Sequence, residues 1–519
     1  MKLAIAQVNP IVGDLEGNVA RILSAGEEAR AQGADLAVFP EMAVPGYPPR
    51  DILYDSSFVE ATQAATLDLA QRARGLPPLL VGSFQPSGQR LYQHPALHNV
   101  AWLVQDGEMR LAAVKRLLPV YDVFYEPRWF LPGEASLPPF EIAGRKIGAL
   151  ICEDLWDEAY PVHPGAELKD MGADMLACLA ASPYRRGVGE ERLYHAKRQG
   201  LPIAFVNLVG GNDELIFDGG SFWLAGDGGE EAGRFEEGVR VLDTMKLPRP
   251  SPSPAGRGVR GEGELFRALV LGVRDFARKN GMRRAALGLS GGIDSSAAAV
   301  IASEALGARN VTGVAIPSRY TDPRSTECAR QLAEALGTRF EVVEMEAVHR
   351  SVEEALGGLL GGTADENVQA RIRMLILMSF VNRDGGFLIN TSNKTELALG
   401  YGTLYGDLAG TLSPLGDVTK PEVYALARWI NSEFRIQNSE LGIVPKFVME
   451  RAPSAELRPN QVDPFDYETL APEIERLVRA DQSNAAMRAA EHKRRQFGIV
   501  LKVSERAFGS GRMLPVTRR

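Results

Sequence analysis

Cys152 ends the apolar run Ile147–Ile151 in the segment LICEDLW, where a strand would deliver a thiol to one edge of a sheet. A thiol attacks carbonyl carbon only as thiolate, and the flanking Glu153 and Asp154 are anions that oppose thiolate formation. Such a nucleophile needs a base and a cation from elsewhere. Glu41 follows the apolar run Leu36–Phe39, and Lys115 follows Leu111–Val114, so both stand at the ends of strand-length segments. A second centre lies in Leu287–Ser296, LGLSGGIDSS. There an apolar strand runs into Ser290, Gly291 and Gly292, a turn through which a backbone without Cβ atoms can approach a ligand. Ser295 and Ser296 then open a helix whose free N–H groups suit phosphate oxygens. Asp294 would repel a phosphate unless Mg²⁺ lies between them. No lysine follows the glycines in the G-x-x-x-x-G-K-[ST] pattern, so this is not a Walker A loop.

Each residue alone has a plainer reading. A cysteine at a strand end is most often a small buried hydrophobe, which is the reading for Cys178 and Cys328. Glu41 and Lys115 read as surface charges, Arg371 and Arg373 as a solvated helix face, Lys420 as a surface lysine, and Glu396 as a carboxylate favoured at a helix start. The six histidines show no metal-ligand spacing, so no zinc site is expected.

The elements that must position these groups fall into two sets. Lys246–Gly263, KLPRPSPSPAGRGVRGEG, is rich in Pro, Gly and Ser and is expected to be a linker between domains 1–245 and 264–519. In the first domain short apolar runs alternate with helix-like stretches such as Asn18–Gln32 and Glu60–Arg74, and later runs end at Ser182 and Asn207. That alternation predicts an α/β layered domain with buried strands. In the second, a helix over Glu264–Asn280 is followed by strand Ala285–Leu289, helix Ser295–Leu306, strand Val311–Ile316, helix Arg324–Leu336 and strand Phe340–Glu344, a doubly wound parallel pattern. Asn390–Lys420 is polar and glycine-rich, and reads as too irregular for a core element.

Composition agrees with a two-domain enzyme. Hydrophobic residues make up 45% and charged residues 24%, ordinary for a globular protein. Fifty-eight Lys and Arg against 66 Asp and Glu leave a net charge of −8, which excludes a dedicated nucleic-acid binder. The basic pairs Arg494–Arg495 and Arg518–Arg519 therefore read as solvated or oligomer-contacting. No apolar stretch approaches bilayer length, the N-terminus MKLAIAQVNP lacks a signal-peptide core, and three cysteines suit a reducing compartment. The expectation is a cytoplasmic enzyme with no membrane partner.

Two resemblances sharpen this reading. The strand–SGGIDSS–helix unit resembles the PP-loop of ATP pyrophosphatases. Together with ENVQARIRM (366–374), NTSNKTEL (390–397), YGTLYGDLAGTLSPLGDVTK (401–420) and RAPSAELRPNQ (451–461), it resembles the NAD⁺ synthetase family over most of 264–519. That resemblance implies a Rossmann-like parallel-sheet domain that adenylates a carboxylate. Ser290, Gly291, Gly292, Asp294, Ser295, Ser296, Lys420 and Ser454 would contact ATP. Asp294 and Glu396 would hold Mg²⁺, and Asn367, Arg371, Glu396 and Asp407 would hold nicotinic acid adenine dinucleotide (deamido-NAD). The sequence departs from the family after Gln461, where Val462-Asp463-Pro464 replaces an expected Asp-Glu pair.

In the first domain FPEMAVPGYP, KRLLPVYDVFYEPRWF and LICEDLW are similar to the nitrilase superfamily, which implies an α-β-β-α sandwich and a thioester mechanism. By that likeness Glu41 is the general base, Lys115 stabilises the oxyanion, Cys152 is the nucleophile and Glu126 supports them. Tyr121, Ser182 and Arg185 are candidates for gripping glutamine. The combination implies that glutamine supplies ammonia, passed internally to an ATP-dependent amidation, in a homo-oligomer whose other partners are glutamine, ATP and deamido-NAD. A ligase of the same fold with another carboxylate or nucleobase acceptor is the alternative, and a non-enzymatic sensor is a further one.

Overall fold

The structure is a computed structural model that describes residues 1–245, 259–358, 361–435, 442–496 and 498–509. The chain divides into two units, one of residues 1–212 and 216–255 and the other of 213–215 and 256–519.

The first unit contains two six-stranded sheets. One orders its strands Gly238–Asp243, Lys2–Gln7, Leu36–Val38, Leu79–Leu91, His94–Gln105 and Glu108–Val114. The other runs Gly228–Glu231, Phe222–Ala225, Ile203–Asn207, Met175–Ala180, Arg145–Ile151 and Phe140–Ile142. Three neighbouring strands in each are parallel, and the outer strands are antiparallel. The period of two explains the layers. Leu3, Ile5, Leu36 and Val38 point between the sheets and meet Ile147, Leu176 and Phe205. Ala4, Ala6, Ala37 and Phe39, alternating with them, face Val19, Ile22 and Leu69 of the helices Leu15–Ala31 and Ser56–Arg72. Strands buried on both faces need the continuous apolar runs that the sequence shows, and each large aliphatic side chain so buried contributes about 1.5–3 kcal/mol. Helix Pro164–Asp170 packs on the second sheet, where Gly148 leaves room for Leu168. The unit is the expected α-β-β-α sandwich, with its sheets mixed rather than wholly parallel.

The second unit is built on a parallel sheet in the order Arg339–Val342, Val311–Ala315, Ala285–Gly288, Phe387–Leu388. Helix Ile293–Leu306 is buried on nearly every side, which its run of alanines and serines permits. The first helix of this unit begins at Val259, five residues inside the stretch expected to be linker, and residues 246–258 lie outside the described residues.

One expectation fails here. Asn390–Lys420 contains the helix Lys394–Leu399 and buries Leu397, Leu412, Leu415 and Val418 completely. Irregular backbone can be buried when side chains satisfy it. The Asn390 amide donates to the carbonyls of Asp407 and Ala409, and the Asp407 carboxylate accepts from the Thr403 N–H. Arg494 also departs from a solvated reading. It is buried, and its guanidinium donates to the carbonyls of Leu397 and Ala398 and to Glu491. Arg518 and Arg519 lie outside the described residues.

Candidate active sites

In the first unit Cys152 is the residue after strand Arg145–Ile151, with φ = 44°, a left-handed conformation that costs a non-glycine residue about 1–3 kcal/mol unless its surroundings impose it. Asp154 does the imposing. One carboxylate oxygen accepts from the N–H of Ile151, and the other from the N–H groups of Arg116 and Leu117. The turn bearing the thiol is thus tied to the segment bearing Lys115. Burial lifts the Asp154 carboxyl to about 7 despite these donors.

Lys115 is 1% exposed and its Nζ donates to Glu41 Oε1 at 2.7 Å and to Glu126 at 2.9 Å. Glu41 is fully buried. Its Oε1 also accepts from the Asn99 amide at 2.6 Å, and its Oε2 from the Ala181 N–H at 3.1 Å. The Tyr47 hydroxyl donates to Glu126. Burial pushes the Cys152 thiol well above its ordinary range, Glu41 pushes the same way, and Lys115 opposes both. The net push favours the neutral thiol. The largest opposing charge is Glu41, not the two acidic neighbours in sequence. Burial would lower Lys115, but Glu126 and Glu41 outweigh it and hold the ammonium well above the usual lysine range. Burial also raises Glu126 to about 7, against the pull of Lys115.

Glu153 is held by two hydroxyls, from Tyr121 and Tyr160, both at 2.9 Å. Ser182 is buried beside this centre, and its hydroxyl accepts from Arg192, which is paired with Asp218. The guanidinium of Arg185 is paired with Glu191. Sequence reading missed Tyr47, Asn99 and Tyr160. Asn99 had left a signal, an amide at the head of the apolar run Val100–Val104.

In the second unit the glycine loop opens a cleft lined by Ser290, Gly292, Asp294, Ser295, Glu396 and Lys420. Gly291 has φ = 76°, and a Cβ there would run into the Ser325 carbonyl oxygen, so only glycine fits. The hydroxyls of Ser295 and Ser296 both donate to the Gly292 carbonyl, and of the two it is Ser295 that lines the cleft. Lys420, 4% exposed, reaches Asp294 Oδ2 at 2.5 Å and Glu396 Oε1 at 3.4 Å, which overturns its surface reading. Burial and the nearby Asp294 lift Glu396 to about 7 against Lys420. Two carboxylates sharing one ammonium beside a phosphate-type loop form an oxygen donor set of the kind that Mg²⁺ prefers.

Ser454 and Asp407 line the same cleft. Asn367 and Arg371 do not; Asn367 accepts from the Thr403 hydroxyl and Arg371 donates to the Leu404 carbonyl, so they brace the loop that carries Asp407. Arg373 lines the cleft, as does Arg451; it donates to the Ile316 carbonyl, with burial pulling it down to about 10. Asp463, where the sequence departs from the family, lines the cleft and accepts from the hydroxyls of Tyr401 and Tyr467. Cys178 and Cys328 are buried core residues. Against the expectation of no metal-ligand spacing, His349 and Glu353, four residues apart, gather with Asp365. Arg319 already neutralises Glu353, and His349 is bonded to Asp365. No described helix is long and apolar enough to cross a membrane.

The first unit thus belongs to the carbon–nitrogen hydrolases and the second to the NAD synthases. Residues 2–243 match the carbon-nitrogen hydrolase family and 265–506 the NAD synthase family. Over 99% of its length the chain is 40% identical to the glutamine-dependent NAD(+) synthetase of Synechocystis, covering 98% of that protein. It is 38% identical over its whole length to that of Rhodobacter capsulatus, again covering 98%. A solved structure of the glutamine-dependent NAD⁺ synthetase of Acinetobacter baumannii, in complex with ADP, matches 99% of this chain and 98% of that one, with TM-score 0.79 and 31% identity. The chain belongs to the family of glutamine-dependent NAD⁺ synthetases.

Proposed function

We infer that this chain hydrolyses glutamine to glutamate and ammonia in its first unit. In its second it uses that ammonia to amidate deamido-NAD to NAD⁺, converting ATP to AMP and pyrophosphate. The observation that carries the reading is the pairing, in one chain, of a thiol with a buried Glu41–Lys115 couple and of a glycine loop with two carboxylates that share Lys420.

In the first site Glu41 takes the Cys152 proton as sulfur attacks the amide carbon of glutamine. Lys115 faces the developing oxyanion, and its two carboxylate contacts keep it charged. Glu41 returns the proton to nitrogen as the C–N bond breaks, releasing neutral ammonia and leaving a thioester. Water then adds with Glu41 as base, sulfur departs, and glutamate is freed. Tyr121, Ser182 and Arg185 stay candidates for the α-groups of glutamine, Arg185 only after exchanging Glu191 for substrate.

In the second site a carboxylate oxygen of deamido-NAD attacks the α-phosphorus of ATP and pyrophosphate leaves. Ammonia then displaces AMP from the acyl-adenylate, losing one proton. A carboxylate left unactivated would have to expel oxide, which is why the phosphate-binding loop is needed. Ser290, Gly292 and Ser295 offer donors to the phosphates, with Ser454 and Lys420 across the cleft. Asp294 and Glu396 would hold Mg²⁺, which when bound offsets the charge that gathers on the leaving pyrophosphate. Gly291 and Ser296 shape the loop, while Asp407 faces deamido-NAD from a segment braced by Asn367 and Arg371.

Three unpaired buried cysteines favour a cytoplasmic location. A homo-oligomer is part of the same reading and is tested by sedimentation. The decisive assay supplies deamido-NAD, ATP, Mg²⁺ and glutamine, and measures NAD⁺, AMP and glutamate together. Equal yields are expected. NAD⁺ formation from ammonium but none from glutamine would refute the coupling, and AMP formation only with another acceptor would refute the substrate.

A further inference from the structure

Asp294 and Glu396 come from segments a hundred residues apart, one at the start of helix Ile293–Leu306 and the other in the short helix Lys394–Leu399. Like charges brought together in a half-buried cleft repel, and something uncharged must hold them if their full charge is to remain for a cation. Lys420 touches both, but it cancels one of the two charges. Asn393 also touches both and cancels none. It is fully buried. Its amide N–H donates to Asp294 Oδ1 at 2.9 Å, its backbone N–H donates to Glu396 Oε2 at 3.3 Å, and its Oδ1 accepts from the N–H groups of Thr395 and Glu396 at 3.0 and 3.1 Å. Each carboxylate therefore has one oxygen on Asn393 and the other on Lys420.

We propose that Asn393 is the positioning residue that fixes the separation and aim of the Asp294–Glu396 pair. A cation can then replace Lys420 between them without the backbone having to reorganise. The inference rests on the assignment of the divalent cation to these two carboxylates. A neutral donor suits the task because it orients a carboxylate and leaves its charge intact. It also explains why one short side chain is asked both to cap the helix bearing Glu396 and to reach across to Asp294: the cap sets where Glu396 starts, and the amide sets where Asp294 ends.

Substitution separates these two duties. Serine and threonine are good helix caps but too short to reach Asp294. Asn393→Ser and Asn393→Thr, two variants in case one folds poorly, are compared with the parent and with Asp294→Asn in the full chain. Mn²⁺ affinity is read by electron paramagnetic resonance with a non-hydrolysable ATP analogue. A lost hydrogen bond to a charged group corresponds to a roughly ten- to hundredfold weakening, so Mn²⁺ affinity is expected to fall at least about tenfold in the serine or threonine variant. The melting temperature should stay near the parent's. Ammonium-dependent NAD⁺ formation should recover at raised Mg²⁺, a rescue that a merely structural defect would not show. Parent-like Mn²⁺ affinity in a folded serine or threonine variant overturns the role of Asn393. If the parent binds Mn²⁺ no better than Asp294→Asn, the cation assignment itself falls and the inference with it.

Discussion

Cys152→Ala removes the sulfur and leaves Glu41 and Lys115 paired, so glutamine-dependent NAD⁺ formation should vanish while ammonium-dependent formation persists; losing both in parallel assays would contradict the division of labour between the units. Glu126 offers a second residue-scale test, through pH. Its carboxyl is raised to about 7 from 4.5, chiefly by burial. Between those values the folded state keeps a proton that the unfolded chain has lost, so the stability that this group contributes below its unfolded value drains away as pH rises toward 7. Glu126→Gln removes the titration. Urea unfolding should therefore show stability falling less from pH 6 to pH 7 in the variant than in the parent, by about 1 kcal/mol. Identical slopes would mean that Glu126 is already ionised at pH 6.

At the scale of elements, the strands place the chemistry by how closely their backbones approach. Gly82 of the strand Leu79–Leu91 is such a point. A Cβ there would stand 2.5 Å from the Met42 nitrogen and the Pro40 carbonyl oxygen, and 2.7 Å from Glu41 Cα. Backbone cannot yield cheaply, so Gly82→Ala should shift Glu41 by a fraction of an ångström to an ångström. Misplacement on that scale lowers glutamine hydrolysis by about a hundredfold. Ammonium-dependent synthesis is the control, and unchanged glutaminase kinetics would show that the loop adapts. This contact was invisible in the sequence, since nothing local marks a glycine that touches residues forty positions away. What was legible followed local rules. The runs before Glu41 and Cys152 are strands because doubly buried strands must be continuously apolar, the run before Lys115 ends a half-buried edge strand, and SGGIDSS is a turn into a helix because its glycines and serines suit that path. The burial of Asn390–Lys420 was not legible, because it depends on Asn390 and Asp407 satisfying distant backbone groups. Likewise Arg371 and Arg373 look alike in sequence. Only their different positions around one helix decide that Arg373 reaches the cleft while Arg371 braces a loop.

At the scale of the whole molecule, the two units carry separate cores and separate chemistries, and what joins them is the ammonia one makes and the other consumes. Near neutral pH free ammonia is mostly ammonium, which has no lone pair, so nitrogen released to solvent is largely lost to the second reaction. A chain that carries both activities gains from them only if nitrogen passes from one to the other as the neutral molecule. Glutamine labelled with ¹⁵N in its amide, supplied together with excess unlabelled ammonium at a pH just below neutral, tests this directly. If ammonia stays within the protein, the amide nitrogen of the NAD⁺ formed should remain mostly ¹⁵N however much ammonium is added. If it mixes with solvent first, the label should fall in proportion to the added ammonium. Repeating the experiment with Cys152→Ala sets the zero point: every NAD⁺ amide must then come from solvent, so the isotope content measures how much of the parent's nitrogen took the internal route.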